Sequence, residues 1–151
     1  MTAGPAPLTR GAAPMTVPSD QLFYDGECGL CHRWVLFTLK RERGRALFRY
    51  APLQGPTFAA QVSAAERAKL PDSIVVRTSA GKLLVRSAAA LHVLARLGGS
   101  WGAFARLARL VPRPIRDFVY DRVAAVRKRW FAKPEGACPL VPPELARRFD
   151  P

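Results

Sequence analysis

With 151 residues and 49% hydrophobic side chains, the chain has the size of one domain. It is too apolar for wholesale disorder and able to bury a core without metals or structural disulfides. No apolar run approaches the ~18 residues of a membrane-spanning helix, which excludes that class. A formal charge of +13 predicts attraction to anionic partners, although an arginine-heavy, alanine-heavy composition produces the same figure with no partner at all.

Residues 1–19 are rich in Pro, Ala, Gly and Thr, carry Arg10 as their one basic side chain, and read as a disordered leader. They lack the charged start and continuous apolar block of a secretory signal, so the expected compartment is the cytoplasm. Met15 is an alternative start. Residues 20–151 read as one folded unit.

Gln21-Leu22-Phe23-Tyr24 is a short apolar strand running into the Asp25-Gly26 turn. Leu30, Trp34 and Phe37 recur at helical spacing and predict a helix from near Cys28 to about Glu42, stopped by Gly44. Ala46 to Ala51 alternates around Phe48 and Tyr50 as a second strand ended by Pro52, and the intervening helix predicts a parallel βαβ unit. Gly55 to Leu70 is weakly helical. Ser73 to Arg77 and Lys82 to Arg86 flank a Ser79-Ala80-Gly81 turn and predict a hairpin. Ser87 suits the N-cap of a helix carrying Leu91, Leu94 and Ala95 and closed by Gly98-Gly99.

Two more helices follow. One places Trp101, Phe104, Leu107 and Ala108 on a single face and stops before Pro112. The other begins at Pro114, and its stripe of Ile115, Phe118, Val119, Val123, Val126 and Trp130 is expected to cover the sheet. The fold class is therefore α/β. Its β-α-β-α-β-β-α order is the minimal thioredoxin or glutaredoxin arrangement, extended by C-terminal helices.

The chain has three cysteines, and in a reducing compartment a close pair points to metal binding or redox catalysis rather than to a structural bridge. Cys28 and Cys31 lie three residues apart on one helical face, at a separation that suits both a disulfide and a dithiol. Cys28 falls at the helix N-terminus, where unpaired N–H groups and the dipole favour a thiolate. It is the expected nucleophile, exposed to substrate, and Cys31, one turn deeper, the resolving thiol. Asp25 is the third candidate catalytic residue, either holding the turn or moving a proton to and from the buried cysteine. Glu27 opposes a thiolate beside it, whereas a cationic His32 would favour one.

Other readings of the pair carry less. Cys28 to His32 also spells the c-type haem signature, but haem attachment needs export. Zinc would need Cys28, Cys31 and Cys138 with His32 or His92, and no second close ligand pair exists. An inert buried pair is the plainest alternative, and Cys138 reads more simply as a packed side chain than as a regulatory thiol.

Asp25-Gly26-Glu27-Cys28-Gly29-Leu30-Cys31 resembles the D-x-x-C-x-x-C signature of the DCC thiol–disulfide oxidoreductase family. The likeness extends to Leu53-Gln54, to Ser87-Ala88, to Pro112 through Arg116-Asp117 to Tyr120, and to Cys138 with the proline-containing stretch before Phe149. It spans about residues 20 to 150. This resemblance implies a thioredoxin-like fold and protein–disulfide reductase activity. Family members often carry Asn-Arg-Tyr in the last helix, where this chain has Val126-Arg127-Lys128-Arg129-Trp130, so the likeness assigns that helix no special role. Pro71 is the candidate for the cis-proline of thioredoxins, but Asp72-Ser73 separate it from the strand and a functional cis bond is not expected there.

No bound cofactor or metal is required by this chemistry, because the dithiol carries both electrons. The expected partners are a protein or low-molecular-weight disulfide and a thiol electron donor. The competing reading is a non-catalytic basic binding module for nucleic acid or an acidic partner, with a structural or zinc-binding cysteine pair. It rests on Arg106, Arg109, Arg113, Arg116, Arg122, Arg127, Lys128, Arg129 and Lys133. No nucleic-acid-binding motif accompanies them, so they read as a solvated basic face, with Arg116 and Asp117 as a possible ion pair.

Overall fold

The computed structural model describes residues 19–130 and 143–151. Strand β1 (Asp20–Tyr24) leads into α1 (Gly29–Glu42) and then β2 (Phe48–Pro52), which pairs parallel to β1 from Asp20↔Phe48 to Tyr24↔Pro52. The short helices α2 (Pro56–Gln61) and α3 (Ala64–Arg67) replace the weakly helical stretch, α3 opening on a Ser63/Glu66 capping box. Strands β3 (Val75–Arg77) and β4 (Leu83–Val85) form the antiparallel hairpin, and β3 pairs antiparallel with β1. Sheet order is β2-β1-β3-β4. This is a thioredoxin-like α/β fold.

Both faces of the sheet are covered, which is why β1 reads as a continuous apolar run instead of an alternation. Leu22, Tyr24, Phe48, Tyr50 and Val76 share one core with α1 and α4 (Arg86–Leu97). Phe23, Ala51 and Val75 face the other way, against Phe58 and Val62. The helical face that α1 buries deepest is Cys31, Val35, Thr38 and Glu42, one step around from the Leu30–Trp34–Phe37 stripe, which is only partly buried.

Polar residues enter that deep face because each finds a partner. Thr38 Oγ1 donates to Val35 O at 2.8 Å and lies 2.9 Å from the Tyr50 hydroxyl. The fully buried Glu42 carboxylate accepts from the Leu47 N–H at 3.0 Å, from the Tyr50 hydroxyl and from Arg148. Burial, with the Glu42 charge next, pushes the Tyr50 phenol well above its ordinary range. Arg148 follows α7 (Pro143–Ala146), and there the chain lies along the open edge of β2: Tyr50 N–H donates to Arg148 O at 2.8 Å and Asp150 N–H to Tyr50 O at 2.7 Å.

Three expectations need correction. Ser87 does not cap α4, which begins at Arg86 after Val85; its hydroxyl instead bonds the Asp117 carboxylate. Asp117 pairs with Arg113 at 3.4 Å, one helical turn away, and not with the neighbouring Arg116 that the sequence offered as an alternative partner. The largest change concerns α5 (Gly99–Ala108) and α6 (Arg113–Trp130). The apolar stripe of α6 does not cover the sheet: Phe118 is 58% exposed, Val119 56% and Val123 54%. The side chains that α6 turns inward are Asp117 to Ser87, Tyr120 to the Ile74 N–H and Arg127 to Cys31. The helix docks through polar contacts and leaves its hydrophobic face outside.

Pro71 precedes β3 without a cis bond; no cis peptide occurs among the described residues. No described helix is long and apolar enough to cross a membrane.

Candidate active site

The cysteine pair sits where β1 hands over to α1. Asp25 organises the turn: its carboxylate accepts from the Glu27 N–H at 2.9 Å and from Gln54 Nε2 at 3.0 Å, and its carbonyl accepts from the Cys28 N–H at 3.2 Å. Gln54 Oε1 in turn accepts from the Gly26 N–H at 3.3 Å, so the residue after β2 braces the turn after β1. Glu27 points to solvent and His32 is half-buried in the first turn.

Cys28 is the N-cap of α1, in extended conformation with φ −105° and ψ 114°, and its sulfur accepts from the Cys31 N–H at 3.5 Å. The first turn holds no acidic residue to compete with it. An N–H aimed at the sulfur and the positive end of the helix dipole both favour negative charge there. Contrary to expectation Cys28 is not an exposed thiol: it is 7% accessible and Cys31 4%, and both are free.

Burial pushes the Cys31 thiol up to about 12, reinforced by the hydrogen bond and charge of Cys28. Arg127 acts in the opposite direction. Its Nη1 lies 3.2 Å from Cys31 Sγ, its Nη2 donates to Asp72 Oδ1 at 2.8 Å, and the residue is 3% exposed. Burial works against the guanidinium charge, but Cys31, Cys28 and Asp72 outweigh it and hold its pKa above the usual arginine value. Beside it the Tyr120 hydroxyl accepts from the Ile74 N–H at 3.2 Å and is pushed up by burial.

Cys28, Cys31 and Asp25 therefore meet in one loop and helix start, with Asp25 bonded to turn groups. Arg127, Asp72 and Tyr120 join them without having been singled out as site residues; Arg127 had been assigned to a solvated basic face. No local pattern marks it, because its partners Cys31 and Asp72 lie 96 and 55 residues away in sequence. Among the described residues no three His, Cys, Asp or Glu side chains are grouped to hold a metal, and His92 is held 2.7 Å from Asp20 Oδ2. Cys138 and Lys133, and with them the full zinc set, lie outside the described residues.

The two sulfurs are thus buried at a helix N-terminus, with Cys31 held neutral and facing a cation. Residues 22–133 match the DCC1-like thiol-disulfide oxidoreductase family. The chain belongs to that family. Among its relatives, the uncharacterized protein YuxK of Bacillus subtilis (strain 168) is 35% identical over 139 residues, 89% of this chain and 96% of that one. The chloroplastic DCC family protein At1g52590 of Arabidopsis thaliana is 27% identical over 119 residues, 79% and 68% of the two chains. No solved structure matches this DCC chain.

Proposed function

We propose that the protein is a thiol–disulfide oxidoreductase of the protein-disulfide reductase type, with Cys28 as nucleophile and Cys31 as resolving thiol. The observation that carries this reading is the asymmetry of the pair. Cys28 Sγ receives an N–H at the helix start, while the Cys31 thiol is pushed up to about 12 by burial. Cys31 is thereby held as the neutral thiol, and Cys28 is the sulfur placed at the helix start to attack first.

The Cys28 thiolate attacks one sulfur of the substrate disulfide. A mixed disulfide forms with Cys28, and the other substrate sulfur leaves as a thiolate that takes up a proton. Cys31 then loses its proton and attacks Cys28 Sγ; the Cys28–Cys31 bond forms, and the second substrate sulfur leaves and is protonated. The substrate gains two electrons and the pair loses two. A thiol donor reverses the exchange and restores the dithiol, so no bound cofactor enters. Arg127 acts at the second step, stabilising negative charge as it develops on Cys31. Asp25 holds the turn that presents Cys28, and proton transfer is its second proposed role. The cytoplasm, as a reducing compartment, is the setting in which such a cycle runs as a reductase.

The test is a thiol-trapping redox titration of the purified protein read by intact mass, with metal content measured on the same sample. Reversible loss of two protons, absent in Cys28→Ser and without bound zinc, is the expected result. Stoichiometric zinc, or thiols that never pair, would return the function to a basic binding module, a reading already weakened because Arg127 turns inward.

A further inference from the structure

Between α1, α4, α5 and α6 runs an open groove of about 710 Å³, within the ~300–1,000 Å³ range of ligand sites. Cys31 and Arg127 stand in its wall. Most of its other lining is apolar, with Trp34, Phe37 and Trp101 on one side and Val119 and Val123 of α6 on the other. The inverted packing of α6 makes this groove: polar residues fasten the helix, so its hydrophobic face is left as a wall. Among the described residues, every charged side chain lining the groove is an arginine, namely Arg33, Arg116 and Arg127, and no carboxylate lines it.

We propose that this groove binds the polypeptide segment flanking the substrate disulfide, a segment with apolar side chains and acidic neighbours. The inference rests on the redox reading of Cys28 and Cys31, and names the substrate class of that site. A concave, largely apolar channel with Cys31 in its wall, and Cys28 three residues earlier at the start of the same helix, suits an occupant that supplies a ridge of apolar side chains and a sulfur together. A polypeptide supplies both, as an amphipathic helix does in a hydrophobic groove. A bilayer surface is flat and does not enter the channel. A second copy would bring another +13 formal charge against the same arginines. An apolar segment with acidic flanks complements both the walls and their charge.

The experiment uses the full chain and three disulfides: a peptide with Leu and Ile beside its cystine and Glu at its ends, one with Ser and Gly beside the cystine and Lys at its ends, and glutathione disulfide. The rate of each is compared with that of a Val119→Ser, Val123→Ser double variant, whose changed side chains are more than half exposed in the folded chain. Wild type is expected to favour the apolar acidic peptide by at least about tenfold, the order that burial of one or two side chains gives. The double variant should lose most of that preference and keep its rate with glutathione disulfide.

Equal rates on both peptides, or a preference that survives the double substitution, overturn the proposal while leaving the exchange chemistry intact. If no disulfide reacts, the exchange reading has failed instead. Binding of the apolar acidic peptide with Ser for both cysteines, measured by fluorescence anisotropy, then decides the groove separately. Binding lost in the double variant supports it, and no binding overturns it. Capture by phosphatidylglycerol vesicles that depends on Val119 and Val123, without peptide discrimination, overturns it in favour of a membrane surface.

Discussion

Arg127 Nη1 lies 3.2 Å from Cys31 Sγ across 96 residues of sequence, so the last long helix places a buried cation on the cysteine at the start of the first. A guanidinium at that distance favours the thiolate over the thiol. Replacing it with Met removes this bias and slows the second step of exchange, in which Cys31 attacks. A change of one pKa unit corresponds to roughly tenfold in thiolate population. The mixed disulfide of Arg127→Met is therefore expected to last longer, by about tenfold for each pKa unit that the arginine supplies, with little change in the first step. Arg127→Lys should recover part of the rate. Stopped-flow release of the second substrate thiol measures both variants; unchanged release in Arg127→Met would remove the role.

Cysteine substitution separates the two thiols. Cys28→Ser is expected to abolish exchange, and Cys31→Ser to accumulate a covalent adduct between Cys28 and substrate, visible by intact mass. Activity in Cys28→Ser equal to wild type would sink the mechanism.

The high value at Cys31 has two consequences with pH. Under native conditions at pH 7 to 8, brief treatment with iodoacetamide should spare Cys31, as peptide mapping would show. For stability the sign follows from the direction of the shift. The folded state holds the Cys31 proton up to about 12, against an ordinary value of 9.0, so between those values the unfolded chain binds fewer protons. This contribution is complete below about 9 and is lost as the pH rises toward 12. Chemical denaturation of Cys31→Ala should show a shallower loss over that window than wild type.

Glu42 and Arg148 form a buried ion pair, with Tyr50 and the Leu47 N–H on the same carboxylate. Removing one member of such a pair strands the other. Glu42→Gln is expected to lower stability by about 3 kcal/mol, read as a lower urea midpoint, while exchange by the folded fraction keeps its rate.

The regular elements were legible because their residues obey simple periods. Leu22-Phe23-Tyr24 could only be a strand with two covered faces, and the Cys28–Cys31 spacing with a strand before it located the site. Legibility ended where polar side chains are buried. Glu42 and Thr38 look like solvent-facing positions until Tyr50 and Arg148 arrive from distant sequence. The same blindness affects α6. A hydrophobic stripe predicts the inner face of a helix, and here Asp117, Tyr120 and Arg127 occupy that face because Ser87, Ile74 N–H and Cys31 are there to meet them. No local pattern reports a partner so many residues away.

The order of synthesis gives these long-range contacts a further meaning. A chain emerges from its N-terminus, so Cys31 is made 96 residues before Arg127, and Glu42 106 residues before Arg148. Both partners of α1 are among the late arrivals. A nascent chain that stops short of α6 already carries the two sulfurs, but neither the cation beside them nor the wall of the groove. Completion of the polypeptide is thus the event that assembles the surroundings of a cysteine pair present from the start.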